Sequence, residues 1–208
     1  MPYKKSAVSS AQIVAAATRV IARKGYARTS LNDIAREAGM SKGAVHYHFP
    51  SKEALVAKVL ETACDAVAER TRDAWERGGH DPFEALRASV RELWAARTTR
   101  SDELAVVADL LAQALHDETL RPQLAGYYRF AAAQTTQHLV TVLASFGLRP
   151  KVSAELIPRL LLGLLDGLVM QVFVEPEVID PEELVRSVEL IAGALFEVGP
   201  MDGLRGPA

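Results

Sequence analysis

Apolar residues recur at three- and four-residue steps along most of the chain, and capping and breaking residues cut that rhythm into segments. Ile13, Ala16, Ala17, Val20 and Ile21 line one face of a first helix. Ser9 with Gln12 forms the capping box that opens it, and Gly25 closes it, leaving residues 1–8 as a loose arm. Leu31, Ile34, Ala35 and Ala38 share one face of a second helix, opened by a Ser30–Asp33 capping box and ended by Gly39. Ser41 caps a third helix from about Lys42 to Phe49, and Pro50 stops it. Ser51 caps a fourth that stays periodic through Leu55, Val59, Ala63 and Ala66 to about Glu76.

Arg77-Gly78-Gly79-His80 interrupts the pattern. Asp81-Pro82, with Glu84 close behind, then supplies a cap, a proline in the first turn and an acid facing the positive end of the helix dipole. This fifth helix runs to about Arg97, and a sixth covers about Glu103 to His116. Arg121-Pro122 opens a seventh that reaches about Ser145; Gly147 and Pro150 punctuate its end. Ser153 caps an eighth whose apolar body extends to Val174, with Pro158 near its first turn. Asp180-Pro181 opens a ninth, ending near Val198, and the Gly- and Pro-rich last ten residues read as frayed. Val172-Phe173-Val174 has strand-like residues but sits inside the helical rhythm, so no strand is expected. The pattern predicts an all-α fold of about nine helices. Residues 1–50 form an N-terminal three-helix domain, residues 51–208 a helical body, and the long helix 51–76 connects them.

Within that layout, residues 29–52 carry the chemistry. Two short helices joined by a tight glycine turn make a helix-turn-helix pattern. The small Ala35 lets the second of the pair come close, and Val45 and Phe49, four apart, pin it inward. Lys42, Gly43, His46 and Tyr47 then point outward, a cationic and hydrogen-bonding set suited to a nucleic-acid groove. Charge agrees: residues 1–60 carry ten Lys and Arg against three acids, whereas the remainder carries 14 against 23. A basic head on an acidic body is the footprint of a polyanion met at one end.

The ordered pieces Lys24-Gly25-Tyr26, Thr29-Ser30-Leu31, Asp33-Ile34-Ala35, Ala38-Gly39, Ser41-Lys42-Gly43 and Tyr47-His48-Phe49, with Ser51-Lys52-Glu53, resemble the DNA-binding domain of TetR-family transcriptional repressors. The resemblance covers about the first quarter of the chain; beyond it, length and helical layout agree. It implies a sequence-specific DNA-binding regulator, a repressor released from an inverted-repeat operator by a small-molecule effector, working as a homodimer. Lys42 and Gly43 fall where the family touches base edges, and Thr29, Tyr47, His48 and Lys52 where it touches phosphates, with the caps Ser30 and Ser41 in the same DNA-facing set. His46 departs from the family's usual residue and reads either a base or a phosphate. Lys4 and Lys5 in the arm are further phosphate candidates.

The resemblance also implies that the last two helices pair with their mates as a four-helix bundle, along Gly163, Leu164, Gly167, Val188 and Leu195. The same greasy eighth helix would otherwise serve as the monomer's own central core helix. Helices five to eight hold a scatter of polar and aromatic residues suited to a mostly apolar effector cavity: Trp94, Gln113, His116, Tyr127, Phe130, Gln134, His138, Met170 and Gln171. Asp166, a carboxylate within the apolar helix, requires a partner: a cationic ligand, a helix terminus or the mate's chain.

Composition removes other classes. Hydrophobic residues at 49% supply a core and charged residues at 24% a soluble surface. No apolar run is read as a membrane span, since Asp166 and two glycines interrupt residues 160–174. The N-terminus lacks the apolar core of a signal peptide, and the single Cys64 fits a reducing cytoplasm. No spacing suggests a metal site or a cofactor, and no nucleotide-binding, serine-elbow or zinc-protease motif appears, so no enzyme is expected. Two other readings stay open: a DNA-binding regulator that answers to a protein partner, and a helical interaction or enzymatic module whose N-terminal hairpin is incidental.

Overall fold

The computed structural model describes residues 2–79, 81–99, 101–145 and 147–198, with side chains described except at 2–8, 82, 137–145 and 198. The described chain is built of α1 (Pro2–Lys24), α2 (Leu31–Glu37), α3 (Lys42–His48), α4 (Lys52–Arg77), α5 (Pro82–Thr98), α6 (Asp102–Ala114), α7 (Arg121–Ser145), α8 (Leu156–Val174) and α9 (Pro181–Leu195). A 3-10 turn at Glu118–Leu120 precedes α7.

Three boundaries depart from the sequence reading. Helix α1 begins at Pro2, not at Ser9, and Gln12 donates its amide to Ala38 O (2.9 Å) instead of completing a cap. A tertiary acceptor outbids a local one. Helix α8 starts at Leu156 behind an uncapped Glu155, with Pro158 buried in its first turn. Helix α9 ends at Leu195, and the chain turns extended: β1 (Leu148–Pro150) pairs antiparallel with β2 (Phe196–Val198) in register Leu148↔Val198. Three-residue strands lack a period of their own, so this ribbon is legible only once α8 and α9 bring its halves together. Helix α8 spans 19 residues and, by length and composition alone, is apolar enough to cross a membrane, a longer run than the sequence reading counted. Its first turn adds Leu156 and Ile157 to the run counted from the sequence.

The chain divides into two compact units, one of residues up to Ala66 with Thr99–Phe130, the other of Val67–Thr98 with residues from Ala131 onward. The first is centred on Ile13, Val20 and Ile21 of α1, Ile34 of α2, Val45 of α3, Leu55 and Leu60 of α4, Val106 and Leu110 of α6, and Leu120, all buried. Helix α6 therefore shares its core with the N-terminal helices. Burying a side chain of this size contributes about 1.5–3 kcal/mol relative to exposure. In the second unit α5 packs against α8 and α9. Val90 and Trp94, Leu162, Leu165 and Val169, and Leu184, Val185 and Val188 are buried there. Gly78 meets α5 so closely that a Cβ would come within 2.3 Å of Ala85 Cα, which makes this bend intolerant of any side chain.

Candidate nucleic-acid interface

Helix α2 is fixed by a complete capping box: Asp33 N–H donates to Ser30 Oγ (3.2 Å), while Ser30 N–H and Oγ–H both donate to Asp33 Oδ2 (3.0 and 2.7 Å). The Ser30 hydrogen bond, followed by Lys24 at 3.0 Å, holds the Asp33 carboxyl far below the usual carboxylate range. Gly39 adopts φ 65°, the left-handed turn that L side chains resist. Ser41 Oγ accepts Ala44 N–H (3.1 Å) and opens α3. Val45 and Phe49, 0% and 7% exposed, anchor α3 to the core as expected.

Opposite that floor lie Lys42, Gly43 and His46, all exposed, and Tyr47, 84% exposed. A phenol ring held in water at that level is not part of any core. Half-buried His48 stands edge-on to Tyr47 with centroids 5.4 Å apart. A Cβ on Gly43 would meet only Ser41 Oγ, at 3.9 Å, so the molecule itself leaves that space open. Most of the other cations nearby are already paired. Arg19 and Arg23 hold Glu37 at 3.0 and 3.1 Å, and Arg36 joins Lys24 on Asp33. Lys42 forms no ion pair among the described residues, so it offers its charge outward.

Two expected phosphate contacts turn inward. Thr29 is 4% exposed and its hydroxyl donates to Gly25 O (2.8 Å), closing the turn before α2. Lys52 is half-buried; its ammonium donates to Tyr26 O and lies 3.7 Å from the Tyr26 ring centroid. Burial lowers its pKa, against the charges of Glu53 and Asp109. Sequence position alone could not have shown this, because Tyr26 lies 26 residues away. Tyr26 is in fact the hub the sequence reading missed. Its hydroxyl donates to Glu53 (3.2 Å), and its N–H donates to Asp109 Oδ2 of α6 (2.6 Å). Burial, then the Glu53 charge, pushes the Tyr26 hydroxyl up to about 12. Gln113 completes the knot by donating to Asp109 (2.8 Å).

The proposed effector residues separate. Tyr127 and Phe130 line a groove of about 370 Å³ with Ala57 and Glu61 of α4 and Pro122, Gln123 and Gly126 of α7. The other described residues proposed for the cavity are not among its lining. In the same unit, Gln113 is bound to Asp109 and His116 is exposed. In the second unit, Trp94 is buried, Gln134 is half-buried, and Met170 and Gln171 are exposed. The His138 side chain, like those of Lys4 and Lys5, lies outside the described residues. Asp166 finds its partner within its own chain: Arg97 Nε of α5, 3.1 Å away. Of the proposed seam, Gly163 and Gly167 are exposed with open space above them and Leu164 and Leu195 are half-buried. Val188 is only 5% exposed and packs in its own unit. On α8 and α9 the large apolar side chains exposed among the described residues are Leu156, Leu160, Met170, Phe173 and Val174, and Leu190 and Ile191.

A capped, core-pinned short helix with a polar outward face, preceded by a second across a glycine turn, makes a helix-turn-helix, the arrangement that places a helix in a DNA major groove. Residues 13–59 match the model of bacterial regulatory proteins of the tetR family, and residues 82–196 match the C-terminal model of BetI-type transcriptional repressors. The chain belongs to the tetR family of transcriptional regulators. It is 34% identical over 113 residues to the regulator LmrA of Bacillus subtilis, covering 53% of this chain and 60% of that protein. It is 33% identical over 99 residues to TtgR of Pseudomonas putida, covering 45% and 47%. The chain thus spans about half the length of these relatives. The solved structure of a transcriptional regulator from Rhodococcus sp. Rha1 superposes with TM-score 0.67 at 31% identity, covering 89% of this chain and 95% of that one.

Proposed function

We propose that this protein is a dimeric repressor that reads an inverted-repeat operator through α3 and leaves it when a small molecule binds. The observation that carries the reading is the outward set of α3. Lys42, His46 and Tyr47 are exposed on a helix whose opposite side is locked by Val45 and Phe49. Lys42 donates to guanine O6 or N7, open Gly43 lets the backbone approach, and Tyr47 and His48 meet phosphates. On this reading, residues 1–50 hold the DNA and residues 51–208 dimerise and sense.

Support for the dimer comes from α8. Only 28% of its span is buried, and Leu160, Phe173 and Val174 stand exposed beside open Gly163 and Gly167. A second copy covering this face removes apolar surface from water and lets two recognition helices meet successive major grooves about 34 Å apart. Support for coupling comes from the Tyr26 knot, which ties α4 and α6 to the turn before α2. An effector releases DNA only by favouring the DNA-incompetent arrangement, and DNA must weaken the effector by the same factor.

Selection of bound sequences from a random DNA pool by the purified protein tests the reading. Enrichment of an inverted repeat is the expected result. A pool that stays unenriched, with binding unaffected by Lys42→Ala and Tyr47→Ala, overturns it.

A further inference from the structure

The groove between α4 and α7 has a chemical bias. Its volume of about 370 Å³ suits a small organic molecule. Its walls are Ala57, Pro122 and Gly126 with Tyr127 and Phe130, and its one charged lining residue among the described residues is Glu61. Hydrogen bonding orients the Gln123 amide so that its nitrogen donates to Leu120 O (3.1 Å) and Thr119 O (2.8 Å). That leaves Gln123 Oε1 as the end free to accept. Both acceptors, the Glu61 carboxylate and Gln123 Oε1, belong to a lining that holds no lysine, arginine or histidine among the described residues. Lys58 meets Glu61 at 3.0 Å from outside the lining, and both side chains of that pair are more than two-fifths exposed. A pair so hydrated contributes little, so an incoming cation displaces it readily.

We infer that this groove takes an organic cation with a flat apolar body, its N–H donors on Glu61 and Gln123 and its ring system against Tyr127 and Phe130. The same lining disfavours an anion, which would meet the Glu61 carboxylate with no cation among the described wall residues. Aromatic faces add attraction for a positive charge lying over them. The inference rests on the effector reading above and gives it a ligand class. It also gives the ligand a purchase. Ala57 and Glu61 lie one and two turns of α4 beyond Glu53, the residue that accepts the Tyr26 hydroxyl, so an occupant acts on the helix that carries the knot.

The test is fluorescence anisotropy of proflavine, a flat cation with amino donors, titrated with the full-length protein in the absence of DNA. The anionic 9-anthracenecarboxylate serves as the matched control. Saturable proflavine binding, weakened roughly tenfold by Glu61→Gln and slightly strengthened by Lys58→Ala, is the expected result. Both variants lie at half-exposed positions, and an unchanged thermal midpoint establishes that they fold. Absence of saturable proflavine binding, equal binding of the anion, or indifference to Glu61→Gln overturns the inference. A parallel DNA-binding assay without dye separates the two readings. Operator binding without proflavine binding rejects the cation groove alone. Glu61-dependent proflavine binding without any DNA binding rejects the regulator reading and leaves the groove.

Discussion

Helices α3 and α8 each leave one face uncovered, and the two faces are chemical opposites. Helix α3 shows water a lysine, a histidine, a tyrosine and a glycine. Helix α8 shows it leucine, methionine, phenylalanine and valine around two glycines. In α3 the polar face is inexpensive to expose, so its exposure says little until Tyr47 is considered, a large ring with no core to serve. In α8 the exposure is itself the signal, because uncovered apolar area is costly in water. A polar face is matched by a hydrated, charged partner such as DNA, whereas an apolar face is matched by another apolar face. An exposed helix thus records the chemistry of whatever covers it.

The sharpest way to break this comparison uses two aromatics of α3 and its cap. Phe49→Ala is expected to cost about 3–5 kcal/mol of stability, since it empties the floor under the helix. Tyr47→Ala is expected to stay within about 0.5 kcal/mol in stability and to lose DNA affinity instead. Denaturant unfolding and DNA titration of both variants check this; a comparable loss of stability in Tyr47→Ala would return that ring to the core.

The apolar face is tested by Leu160→Glu with Phe173→Glu. Sedimentation is expected to show a monomer, with operator affinity reduced roughly hundredfold as two-site engagement is lost. A dimer that survives both charges would place the seam elsewhere. Next in size, Lys42→Ala is expected to cost about 1–3 kcal/mol on the cognate site and to relax base preference there. Lys52→Ala, whose ammonium is turned onto Tyr26, is expected to leave the slope of log affinity against log salt unchanged. A slope reduced by about one would mean that Lys52 swings out to a phosphate.

The smallest effect is a pH dependence. The Asp33 carboxyl is depressed in the folded protein, so its contribution is complete above the unfolded value of about 3.9 and fades as pH falls toward the folded one. Asp33→Asn should lower the thermal midpoint at neutral pH and flatten its decline in acid. Parallel melting curves for variant and parent between pH 7 and the acid limit would show that the cap contributes no pH-linked stability.

What the sequence determined by itself is most of what neighbours within a turn or two govern, the caps read at Ser9 and Ser153 being the exceptions. Ser30, Ser41 and Asp180 cap helices because their side chains reach N–H groups two or three residues on, and the period of apolar residues marks the buried faces. The outward face of α3 was legible for that reason: Val45 and Phe49 going inward forces Lys42, His46 and Tyr47 outward. Only the tertiary structure decided where long side chains turn when a distant acceptor competes with water. Lys52 chose Tyr26, Asp166 received Arg97 from 69 residues away, and Asp109 took an N–H 83 residues back in the chain. The α4–α7 groove and the short β ribbon belong to the same class. Each depends on segments that no local pattern relates, so their energies exist only after the helices have packed.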